Sequence, residues 1–121
     1  KAIFAALIAF CIFSCSKSSD ERSITVDVNT CTDVSMGKGL KVCFDTLLED
    51  SRCPANTICV WQGAARAQFR VFTGQQIHTI WLSTIDMGPH YKTDTTLAGY
   101  HLKLVNILPY PGTALEIRLL Y

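Results

Sequence analysis

The chain has 121 residues, and those able to do covalent, metal or acid–base chemistry are six cysteines, three histidines and ten carboxylates. Their spacing narrows the field. Cys31, Cys43, Cys53 and Cys59 are separated by eleven, nine and five residues. Zinc sites usually carry closer pairs such as CxxC, and thioredoxin-type redox chemistry wants CxxC at a helix start; neither occurs in this sequence. His78, His90 and His101 stand apart from one another, without an HExxH pairing, and read as surface or hydrogen-bonded imidazoles. Asp45, Glu49 and Asp50 gather near one strand end. Two carboxylates can serve as a glycosidase pair or bind calcium, yet no loop here matches a calcium pattern, so solvated charge is the reading. There is no G-x-S-x-G elbow, phosphate loop or nucleotide fingerprint. The sequence therefore assigns no catalytic residue, no cofactor and no metal ligand.

The start of the chain gives an address. Lys1 precedes twelve apolar residues, Ala2 to Phe13, a run that suits a signal-peptide core and is too short to span a bilayer as a helix. It lacks the caps and polar face of a helix packed in a core. Residues 1–14 are thus expected to form a signal segment outside the fold. Ile12-Phe13-Ser14-Cys15 resembles a bacterial lipobox: an aliphatic residue, a small residue immediately before the cysteine, then the cysteine. The resemblance implies that Cys15 becomes the first mature residue and carries acyl chains, several of which anchor stably where one does not. Cys11 fits less well, because Phe10 before it is large. Residues 15–22, "CSKSSDER", read as the lipidated cysteine and a flexible tether. Ser16 following the cysteine resembles lipoproteins sent to an outer membrane, and the Ser-rich, acidic stretch resembles tethers of surface-displayed ones. The expected location is the cell envelope, on the periplasmic side or the cell surface.

In an exported chain an even number of cysteines argues for disulfides. Four body cysteines allow three pairings; Cys53 with Cys59 is the easiest because so few residues separate them, and Cys31 then takes Cys43. By loop-closure entropy each bridge contributes roughly 2–3 kcal/mol, against a total margin of about 5–15 kcal/mol for a domain of this size.

The elements that must carry these residues are strands. "ARAQFRVF" sets Ala65, Ala67, Phe69 and Val71 against Arg66, Gln68 and Arg70; "ALEIRLLY" and "YHLKL" alternate in the same way. Period two marks half-buried antiparallel strands. In "SITVDVNTC" and "LKVCF" the apolar residues share one parity and Cys31 and Cys43 the other, so both cysteines should point outward. Ile80-Trp81-Leu82 reads as a run that can be covered on both faces, and "SMGKG" and "HYKTDTT" read as loops. Turn signals recur between the runs, and Gly74 should join two strands as a hairpin. The expectation is one all-β domain over residues 23–121, a small antiparallel sandwich of six to eight strands of Greek-key or immunoglobulin-like type. A partly open barrel is the rival architecture.

Within that fold "LKVCFDTLLEDS" is a strand running into a loop, "CPANTIC" is that loop, pinched by Cys53 and Cys59, and "VWQGAARAQF" leads into the next strand. Pro54 fixes one φ, Gly63 allows a bulge or close backbone approach, and Trp61 should pack near the sulfurs as a core residue. Arg52 should pair with Asp50 or Glu49, the alternative being a partner carboxylate. The string Asp50 to Pro54 followed by C-V-W-x-G-x-A, here Cys59 to Ala65, resembles a signature of small bacterial lipoproteins, short exported proteins with a lipobox and a β-rich body. Beyond the signal and this motif the likeness extends loosely to "ILPYPG" and the last strand; Gln62 departs from it where a small residue is expected. The resemblance implies an address and a fold, not an activity.

Removing residues 1–14 takes away Lys1 and no acid, leaving ten basic and ten acidic residues. So balanced a body offers no steering toward nucleic acid. The functional expectation is a lipid-anchored, non-catalytic binding or structural module for an envelope protein or glycan. Candidate contact residues are Arg52, Trp61, Tyr91 and Tyr110, with Trp81 beside them. A small hydrolase is one alternative; it would need His90 or His101 within hydrogen-bond reach of a carboxylate in a pocket. A protease-inhibitor-like loop is another, and it needs the Asn56-Thr57 tip to project freely.

Overall fold

A computed structural model describes residues 21–34, 39–54 and 57–108, and the backbone of 114–120. The described residues form eight strands and no helix: β1 (Arg22–Asp27), β2 (Thr30–Asp33), β3 (Leu40–Asp50), β4 (Ala65–Thr73), β5 (Gln76–Ser83), β6 (Asp94–Leu97), β7 (Tyr100–Leu108) and β8 (Ala114–Leu120). They build two antiparallel four-stranded sheets, β1-β8-β7-β6 and β2-β3-β4-β5, which are not closed into a barrel. The signal segment, Cys15 and most of the tether lie outside the described residues; β1 begins at Arg22, one residue earlier than the expected boundary.

The all-β sandwich expected from the alternation is borne out, but its connectivity is not a Greek key. β2 to β5 and β6 to β8 are meanders, and β1 joins the second meander by pairing with β8, from Arg22↔Leu119 to Asp27↔Ala114. Only the β1–β2 and β5–β6 connections pass between sheets.

The core lies between the sheets. Val26, Leu40, Val42, Phe44, Ala67, Phe69, Val71, Leu82, Leu102, Leu104 and Ile107 are buried in one cluster. Phe44 and Phe69, direct neighbours in the β3–β4 register, stack with centroids 5.3 Å apart. The parities read from β1, β4 and the start of β7 are those observed. A bulge between Leu104 and Asn106 then shifts parity, which is why Ile107 is buried after an odd step. Two further bulges lie in β3, which runs on to Asp50 before the chain enters the loop. Gly74 makes the two-residue hairpin between Thr73 and Gln76 with φ +65°.

Other expectations need correction. "HYKTDTT", His90 to Thr96, reads as loop, but its last three residues begin β6; these polar residues sit on a short edge strand with nothing to alternate against. Trp81 is not covered on both faces: Ile80 and Leu82 turn toward the core, while Trp81 is 53% exposed. The disulfides are Cys31–Cys43 and Cys53–Cys59. Cys31 and Cys43 are direct register partners on β2 and β3. Cys31 is exposed as expected, but Cys43 is buried, with the Cys31 sulfur bonded to it from β2 and Arg70 as its register partner on β4. The side chains of "ALEIRLLY" and the "SMGKG" loop, apart from Gly39, lie outside the described residues.

Candidate functional site

The loop between β3 and β4 rests on a built base. Arg52 is 7% exposed. Its Nε donates to Asp50 Oδ1 at 2.7 Å and Nη2 to Asp50 Oδ2 at 2.6 Å, a two-point pairing that fits the planar guanidinium. Nη1 reaches the other sheet and donates to the Ile107 carbonyl at 2.5 Å. Arg52 therefore ties the loop to the opposite sheet. Its candidacy as a ligand-binding residue fails, because this local pairing occupies a buried guanidinium.

Around it the two arms of the loop are laced together. Ser51 N–H donates to the Ala64 carbonyl at 2.8 Å, Ala64 N–H donates to Ser51 Oγ at 3.1 Å, and Cys53 N–H donates to the Gln62 carbonyl at 3.4 Å. Gly63 sits between these bonds with φ +66°, and a Cβ there would lie 2.5 Å from the Ser51 carbonyl carbon and 2.9 Å from Arg52 Cα. No side chain fits, so the glycine of the motif is a close-approach residue. Most of the D-S-R-C and G-x-A positions are thereby spent on structure.

The distal part of the loop is different. The Cys53–Cys59 bridge and a turn closed by Thr57 N–H to the Pro54 carbonyl, 3.0 Å, brace it. Ile58 and Val60 are fully exposed, and Trp61 is 74% exposed. Trp61 was expected in the core beside the sulfurs; instead the base draws Gly63 and Ala64 inward, leaving the preceding residues outside. Three large apolar side chains within four positions, held out by a disulfide, make an unsupported apolar knuckle. Single exposed apolar residues are ordinary, but a contiguous group is a recognition feature. Ile58 and Val60 were absent from the sequence candidates. The signal for these two lay in their place: Ile58 is the last residue inside the five-residue disulfide loop, and Val60 follows the closing cysteine three residues before Gly63, with no room to alternate into a sheet.

The remaining candidates divide. Tyr91 is half-buried; its hydroxyl donates to Glu49 Oε2 at 3.0 Å, and the Arg66 guanidinium lies 5.1 Å above its ring, so it is a strut more than a free contact. Tyr110 and Asn56 lie outside the described residues, and Thr57 is exposed. The carboxylates do not converge. Asp45 pairs with Arg70 at 2.7 Å, and this hydrogen bond and charge raise the Arg70 pKa above its ordinary value. Glu49 serves Tyr91 and Asp50 serves Arg52. His101 Nε2 does meet Asp94 Oδ2 at 2.7 Å, the pairing a hydrolase would need. Its Nδ1, however, is buried without a hydrogen-bond partner. No described hydroxyl or thiol therefore stands where an imidazole base would activate it. His78 contacts Thr73 Oγ1 at 3.1 Å, and His90 is exposed.

Comparison with protein families, curated proteins and solved structures gave no match.

Proposed function

We propose that this chain is a lipid-anchored cell-envelope protein whose sandwich is a non-catalytic binding module, and that it engages a protein partner through the Ile58, Val60 and Trp61 knuckle. The observation that carries the reading is the exposure of those three side chains on a loop whose base is fixed by Arg52, Gly63 and the Cys53–Cys59 bridge. A tip ordered before binding loses less entropy on association. Trp is also among the residues that most often dominate interface energy when packed into a partner's pocket.

The direction of the loop favours a protein over the anchoring bilayer. Arg52 docks on Ile107, which pairs through Leu115 with Val26. Residues preceding Arg22 join the opposite end of β1, four residues away or about 13 Å at strand rise. The loop base thus lies away from the attachment point. Anchoring through Cys15 holds the tip at high local concentration, so a modest intrinsic affinity suffices.

Two measurements test the reading. Labelled fatty acid should be incorporated by the full chain and not by Cys15→Ala. A photo-crosslinking residue at position 60 should capture a discrete protein partner in intact envelopes. Unlabelled protein, or crosslinks to lipid alone, would count against the address and the partner class respectively.

A further inference from the structure

We infer that the cleft between the edge strands β5 and β6 is a second binding site, for a neutral glycan, with one pyranose ring seated on Trp81. β5 ends one sheet and β6 the other, and the seam between them is bridged at one end by Ser83 N–H donating to the Lys92 carbonyl at 2.8 Å. A cleft of about 190 Å³ lies there, lined by Thr79, Trp81, Pro89, Lys92, Asp94 and Thr95 among others.

The chemistry of the lining suits a sugar. Strand parity turns Trp81 outward, and its indole N–H donates to Gln68 Oε1 at 3.2 Å. The protein itself satisfies the polar end of the ring and fixes its plane, leaving a π-face. That face is electron-rich and attracts the polarised C–H groups of a pyranose. Asp94 Oδ2 is held by His101 at 2.7 Å, which orients the carboxylate and leaves Oδ1 to accept from a sugar hydroxyl. Lys92 brings an ammonium donor, and Thr79 and Thr95 bring hydroxyls able to donate or accept.

Size and charge narrow the class. The cleft is smaller than the roughly 300–1,000 Å³ of sites that enclose a drug-sized ligand, so it takes one ring of a longer chain. Lys92 and Asp94 oppose each other in charge, which gives no preference for a uronate or sulfated sugar. Asp94 is the single carboxylate among the described lining residues. Glycoside cleavage ordinarily takes a pair of carboxylates flanking the bond, so the site binds and does not cut. The inference is independent of the knuckle: it uses a different tryptophan on a different strand.

The test is saturation-transfer NMR on the full chain in detergent, with maltohexaose, laminarihexaose and chitotetraose as neutral probes and an alginate oligosaccharide as the acidic one. At least one neutral probe should receive saturation on its ring protons, with a dissociation constant on the order of millimolar. Trp81→Ala should weaken it at least about tenfold. Trp81→Tyr, which keeps an aromatic face, should restore part of the loss, and Asp94→Asn should weaken it about threefold or more. Circular dichroism shows whether each variant is folded, and the Trp81→Tyr and Asp94→Asn pair decides the matter if Trp81→Ala is not. The inference is overturned if no neutral probe binds at about 10 mM, if only alginate binds, or if binding survives both the Trp81 and Asp94 substitutions. Loss with Trp61→Ala but not Trp81→Ala would move sugar binding to the knuckle and overturn it as well.

Discussion

Replacing Gly63 by alanine asks the loop base to accept one methyl group. Two costs can be separated. The backbone at 63 has φ +66°, where an L side chain costs about 1–2 kcal/mol. The added Cβ would also collide with the Ser51 carbonyl group and approach Arg52 Cα to 2.9 Å. Backbone cannot yield as a side chain does, so the two arms must part. Parting them stretches the Ser51–Ala64 and Cys53–Gln62 bonds, each worth about 0.5–1.5 kcal/mol. The expected loss is about 2–5 kcal/mol in all, or at least about 8 °C in Tm for a domain of roughly 100 residues. Gly74 supplies the control: its φ is +65°, and an added Cβ there meets nothing within 4 Å. Gly74→Ala should show the conformational cost alone. Urea unfolding of both full-length variants with disulfides intact, followed by circular dichroism, gives the difference directly. If the two lose the same stability to within about 0.5 kcal/mol, the close approach at Gly63 does not exist and the loop base is wrongly built.

Other consequences are simpler to check. Arg52→Met should cost about 3–5 kcal/mol in the same unfolding assay, because it strands a buried Asp50 carboxylate, while Arg52→Met with Asp50→Asn should cost less than the single change. Opening the Cys53–Cys59 loop by paired serine substitution should cost about 2 kcal/mol, and opening Cys31–Cys43 about 3 kcal/mol, since the second closes the longer loop. Alkylation of the native protein should find no free thiol among these four cysteines. In a Trp81→Phe background, Trp61 should be quenched by acrylamide nearly as readily as free tryptophan; strong protection would mean the indole is packed.

Much of this architecture was legible because alternation survives wherever one face of a strand is buried. Ala65 to Val71 and Tyr100 to Leu104 announce their inner faces residue by residue. What hid was whatever breaks or lacks that pattern. The bulges at Asp45, Leu48 and Val105 shift parity without a glycine or proline to mark them. β2 and β6 are short, polar edge strands, and edges need no apolar face. Sheet order also escaped, because local periodicity is the same for a meander and a Greek key. At the loop, Arg52 with Asp50, the Cys53–Cys59 bridge and the close approach at Gly63 follow from residue type and spacing. The outward position of Trp61 does not, because a tryptophan beside a cystine is a core pattern unless the obligatory glycine two residues later leaves no room behind it.

The claim on which the function rests is that Ile58, Val60 and Trp61 touch a protein partner. A photo-crosslinking residue placed at Val60 in the full chain, irradiated in intact envelopes, measures that contact. One discrete protein adduct should form at position 60, lost when Trp61→Ser is added and absent when the crosslinker stands at exposed Gln75. The same adduct from Gln75, or none from position 60 while the protein remains folded and anchored, would contradict it.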